Sequence, residues 1–172
     1  MAFMKRILLF FVFITMMVQL PLAQKFAFID TDYILNQMPE YKKAQKDLDD
    51  LAEKWQKEIE AKYNEIKKKY KAFQEEEILL PEETKKQRMD EILELENIAK
   101  DLQKKRFGVN GDLYKKRKEL IEPIQDKIYK AIKALSKDNN YNFILDKSKN
   151  SNILYADPKY DKSDAVLRKI NN

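Results

Sequence analysis

From Tyr41 onward the apolar positions recur every three or four residues: Tyr41, Ala44, Leu48, Leu51, Trp55, Ile59, Tyr63, Ile66, Tyr70 and Phe73. At about 100° per residue they form one helical stripe roughly 120° wide. The opposite face carries little that is apolar beyond Ala61 and Ala72. Between Leu51 and Tyr63 every step is four, a stutter that relaxes left-handed supercoiling. The pattern predicts a helix over 40–77 with one partner-facing side. Ile78, Leu79 and Leu80 follow, and then Pro81, Glu82 and Glu83. Proline at a helix start and acids in the first turn predict a second helix there. Its stripe runs Met89, Ile92, Leu95, Ala99 and Leu102, continues weakly at Val109, Leu113, Leu120 and Ile124, and leaves Leu93 and Ile98 off centre.

Length supports a hairpin. Residues 40–77 span about 57 Å at a helical rise, and residues 81–121 about 61 Å. The match requires the return arm to end or kink near Pro123, where the ring removes a hydrogen bond and clashes with the preceding turn. Gly108 and Gly111 then fall inside the return helix, which reads either as close packing or as a soft joint.

The flanks read differently. Phe26–Ile29 is apolar on both alternating faces, as in a central strand. Residues 30–37 suggest a short helix or turn. Residues 123–137 form a separate helical segment burying Ile124, Ile128, Ala131, Ile132 and Leu135. Tyr141–Asp146 and Ile153–Ala156 read as two strands around Lys149–Asn152. Ser163 or Asp164 caps a last helix carrying Val166, Leu167 and Ile170. The fold class is α+β: a long antiparallel helical hairpin, coiled-coil-like, over 40–122, projecting from a small β-strand base formed by 24–39 and 138–172, with 123–137 packed on it. So few short strands bury too little to be stable alone, and association through the base is expected.

Composition removes most chemistry. The chain has no histidine, no cysteine and two glycines. No imidazole base or zinc ligand, thiol nucleophile, Ser-His pair, disulfide or glycine-rich phosphate loop is available. Asp30 and Asp32 read as a turn or helix cap and not as a catalytic pair. We expect no enzyme, no cofactor and no metal. Lys5 and Arg6, an apolar run from Ile7 to Val18 and a small-residue exit make residues 1–23 a secretory signal peptide, cleaved after about Ala23. The run falls short of the ~20 residues of a spanning helix, and without cysteine a lipid anchor is not expected. The mature chain carries 32 basic and 29 acidic residues. Within 40–137 there are 25 basic and 22 acidic residues, interleaved in sign, which argues against nucleic-acid binding. Short blocks such as Lys67-Lys68-Lys69 leave room for contact with an anionic membrane surface.

The order of elements, with Leu120-Ile121-Glu122-Pro123-Ile124, Asn142-Phe143-Ile144-Leu145-Asp146-Lys147-Ser148, Leu154-Tyr155-Ala156-Asp157-Pro158 and the opening Phe28-Ile29-Asp30 with Tyr33-Ile34-Leu35, resembles the Skp (OmpH-type) periplasmic chaperones. The resemblance covers the whole mature chain. It implies an ATP-independent periplasmic holdase, a homotrimer whose strands share a β body and whose arms enclose unfolded outer-membrane proteins. On that reading clients would meet Tyr63, Tyr70 and Phe73, the tip Ile78-Leu79-Leu80, and Lys67, Lys68 and Lys69. Oligomerisation would use Phe26, Phe28, Ile29, Phe143, Ile144, Leu145, Ile153, Leu154 and Tyr155. The alternative is a structural spacer or adaptor of the cell envelope.

Overall fold

The structure, a computed structural model, describes residues 24–148 and 153–171. The expected signal peptide and the turn over Lys149–Asn152 lie outside the described residues. Strand β1 (Phe26–Ile29) leads into helix α1 (Thr31–Gln37), whose N-cap is Asp30. The Asp30 carboxylate accepts from the Tyr33 N–H at 2.9 Å, which gives the acid a structural role. Helix α2 (Pro39–Glu76) opens on Pro39, where the missing N–H costs nothing. A 3-10 turn (Glu77–Leu79) reverses the chain into helix α3 (Glu82–Phe107). Helix α4 (Asp112–Asn139) completes the return, and strand β2 (Phe143–Asp146) and helix α5 (Ser163–Asn171) close the base.

The return arm breaks between Phe107 and Asp112, and Pro123 lies inside an unbroken α4. This corrects the expected break near Pro123. Proline removes one hydrogen bond, which would go to the Glu119 carbonyl. Glu119, Glu122 and Pro123 all face solvent, where water can replace that bond. Leu120, Ile121 and Ile124 pin both sides of the proline to the core. At the true break, the Gly108 N–H donates to the Lys104 carbonyl at 2.8 Å and the backbone then extends. Asn110 takes a left-handed conformation, with φ 59°. Both glycines are needed for close approach, not for handedness: a Cβ on Gly108 would lie 2.3 Å from the Lys104 carbonyl oxygen, and one on Gly111 2.8 Å from that of Lys105. They cap two helices and do not interrupt one.

Two apolar cores result. In the base, Ile29, Ile34, Met38, Ala44, Ile124, Ile128, Ala131, Leu135 and Val166 pack together. Toward the tip, Ile66, Phe73, Ile92 and Ala99 form a second cluster, with Leu80, Met89 and Leu95 against it. Between them Trp55 is 9% exposed; the Arg106 guanidinium lies 4.7 Å from its ring centre, and Phe107 meets it edge-on at 6.3 Å. Val109, expected on the buried stripe, instead projects from the break.

β1 and β2 pair in parallel, Phe26 opposite Phe143 through Ile29 opposite Asp146. Parallel strands need a long crossover, and here the whole hairpin supplies it. Ile153–Ala156 forms no strand, contrary to expectation. β1 meets Asp161 on its other side through one isolated bridge, with the Lys162 N–H donating to the Phe28 carbonyl at 2.9 Å. Ile153–Ala156 thus adds no strand to the sheet, although the outer edge of β2 has no partner strand among the described residues.

Candidate functional site

The tip is built by the 3-10 turn. Its tight path leaves Ile78 94% and Leu79 84% exposed, while Leu80 folds back against the arm core. Glu75, Glu76, Glu77, Glu82 and Glu83 surround it. Along α2, Tyr63 and Tyr70 sit at the stripe edge and remain partly exposed, and the Tyr63 hydroxyl donates to Gln103 Oε1 at 3.5 Å. Phe73 is buried in the arm core. It is therefore removed from the set of surface candidates: its position at the centre of the stripe commits it to α3. Lys67 and Lys68 face solvent. Lys69 is committed to Glu91 at 2.7 Å across the hairpin, and that hydrogen bond holds its ammonium above the ordinary lysine value.

The base presents a second surface. Phe28 and Ile29 are buried within the chain, and Ile144 packs against the base core. These three hold the fold and offer little outward. Because β2 alternates, Phe143 and Leu145 point the other way and are 59% and 50% exposed. Leu154 and Tyr155 project almost fully into solvent, and Phe26 is half exposed while stacking on Tyr160 at 4.9 Å. Phe26, Phe28, Leu145, Ile153 and Tyr155 also line one apolar groove of about 270 Å³.

A polar lock sets the angle between β2 and α1. Asp146 accepts from the Thr31 and Ser148 N–H groups at 3.1 and 3.0 Å and from their hydroxyls at 2.6 and 2.9 Å. Partial burial pushes its pKa up, but these hydrogen bonds outweigh it and leave the carboxyl below its ordinary value. A similar lock joins Asp161 to Ser163, whose hydroxyl lies 2.6 Å from the Asp161 carboxylate, and to Lys147 at 2.8 Å. Among the described residues no group of three or more acids is placed to hold a metal ion, and no helix is long and apolar enough to cross a membrane.

Periodicity missed a third exposed apolar surface, at the break in the return arm, formed by Phe107, Val109 and Tyr114. The signal was present: Asn110 followed by Gly111, with Gly108 just before, is turn chemistry.

The family model described as outer membrane protein (OmpH-like) matches residues 25–170, nearly all of this architecture. The chain belongs to the OmpH-like family. An uncharacterized protein of Aquifex aeolicus (strain VF5) is 26% identical over 161 residues, covering 94% of each chain. Among solved structures, the OmpH-like protein of Caulobacter crescentus CB15, itself proposed to be an outer membrane chaperone, superposes with a TM-score of 0.71 at 12% identity, over 88% of this chain and 86% of that one. The OmpH-like helical-hairpin fold with a small two-stranded sheet is thus shared at low sequence identity.

Proposed function

We propose that this OmpH-like chain is a periplasmic holdase chaperone that works without ATP and without catalysis, as a trimer joined through its base. Its arms would keep unfolded outer-membrane proteins from aggregating. Membership of the family supports the chaperone reading, and the signal-like residues 1–23 support export to the periplasm. The observation that carries it is the separation of two exposed apolar surfaces by a long charged arm. One, around Phe143, Leu145, Leu154 and Tyr155, suits joining copies; the other, Ile78 and Leu79, stands free at the far end. Shallow contacts at several tips add by avidity, which lets a holdase bind firmly and still release.

Substituting Ile78 and Leu79 by Ser should weaken client holding by about tenfold, the effect of losing partial burial of two large side chains. The readout is light scattering when a urea-unfolded outer-membrane barrel is diluted into buffer with the mature chain. The native mass should not change. Suppression equal to wild type would move client contact away from the tip.

A further inference from the structure

The break in the return arm carries an apolar surface that neither core uses. Val109 is 97% exposed, Tyr114 54% and Phe107 37%. With Gly108, Asn110, Leu113 and Arg117 they line a groove of about 530 Å³. The loop holding Val109 out is fixed. Gly108 N–H is bonded to Lys104, Gly111 N–H donates to the Gly108 carbonyl at 2.8 Å, and Arg106 bridges the break to Asp112 at 2.8 Å. A groove built in advance spares its partner much of the ordering cost.

Its charge distinguishes it from the tip. Residues 100–118 hold eight basic side chains and two acidic ones. Ion pairs occupy Lys100, Arg106, Lys116 and Lys118. Lys104, Lys105, Lys115 and Arg117 have no carboxylate partner among the described residues, and Arg117 lines the groove itself. Of the five glutamates around the tip, Glu75, Glu76 and Glu82 are held in ion pairs, and Glu77 and Glu83 have no basic partner among the described residues. An acidic segment is therefore repelled at the tip and attracted at the break.

From this juxtaposition we infer that the groove docks an extended, acidic, apolar-rich segment of an unfolded polypeptide, with apolar side chains against Phe107, Val109 and Tyr114 and carboxylates toward Lys104, Lys105, Lys115 and Arg117. The inference rests on the holdase reading and adds to it the place and the chemistry of one client contact.

The test uses the full mature chain and two fluorescent peptides, one alternating phenylalanine with aspartate and one phenylalanine with lysine, followed by anisotropy. The acidic peptide should bind about tenfold more tightly at low salt, and the preference should collapse in about 0.5 M NaCl, where screening is nearly complete. Val109→Ser with Tyr114→Ser should lower affinity for the acidic peptide about tenfold, and Arg117→Glu should remove the preference. These side chains are exposed, so circular dichroism and native mass should match wild type. Equal binding of both peptides, or unchanged binding by the variants, overturns the inference. So does a change in native mass, which would assign the surface to contact between copies, or a loss of binding to phosphatidylglycerol vesicles without any peptide preference, which would assign it to lipid. Two arms separate the readings: if wild type holds a urea-unfolded barrel soluble but the variants bind the peptide normally, only this inference fails; if wild type neither holds the barrel nor binds a peptide, both fail.

Discussion

Replacing Phe143 and Leu145 by Asp should yield a monomer that keeps its helical arm. β2 has only four residues, and its parallel register with β1 sends Phe143 and Leu145 outward and Ile144 inward. Both substitutions thus leave the base core untouched. Burying two such side chains between copies contributes about 1.5–3 kcal/mol each. Two carboxylates in their place would have to be desolvated without partners, which costs several kcal/mol more. The arm has its own core around Ile66, Phe73, Ile92 and Ala99 and does not depend on that surface. Light scattering coupled to gel filtration gives the mass and circular dichroism the helix content. An assembled double variant would place the association surface elsewhere; loss of helix would show that the arm needs its base.

Trp55→Ala should destabilise the middle of the arm by about 3–5 kcal/mol, the usual result of truncating a buried aromatic. That is a large share of the ~5–15 kcal/mol of a typical domain. The ring fills the space where α2 passes the break, under Arg106 and against Phe107. Arg106 also reaches Glu58 at 3.4 Å and Asp112 at 2.8 Å, so one guanidinium joins α2, α3 and α4. Its Nε is buried without a hydrogen-bond partner among the described residues, and the position of the guanidinium over the tryptophan face offsets part of that cost. Removing the ring takes away that compensation as well as the packing. Hydrogen exchange should accelerate around residues 52–60 and 104–114 while the base stays protected. Uniform protection like wild type would mean that the break does not depend on Trp55.

The hairpin was legible because helical period is a strong signal: a stripe repeated over ten positions of α2, and Pro81 marks the return. The cap at Asp30 and the last helix near Ser163 were legible from short polar side chains before apolar runs. The position of the break was not. Proline has the larger intrinsic helix penalty, but Pro123 sits where water and flanking apolar contacts absorb it. The two glycines each cost little, and together with Asn110 they make a turn. The 153–156 segment carries strand-like residues without a strand, since a strand is a property of its neighbour as much as of its own sequence. Phe73 and Tyr63 look alike on the stripe, yet only the centre of the stripe is buried. Which stripe residues remain available to another molecule depends on how α3 lies across α2, and the spacing of one helix does not contain that angle.

The most direct measurement is native mass spectrometry of the mature protein with and without a urea-unfolded outer-membrane barrel. The account predicts a trimer alone, and a trimer carrying the barrel when it is supplied, with no nucleotide present. A monomer, or a trimer that takes up no barrel, would contradict it and favour a spacer of the cell envelope.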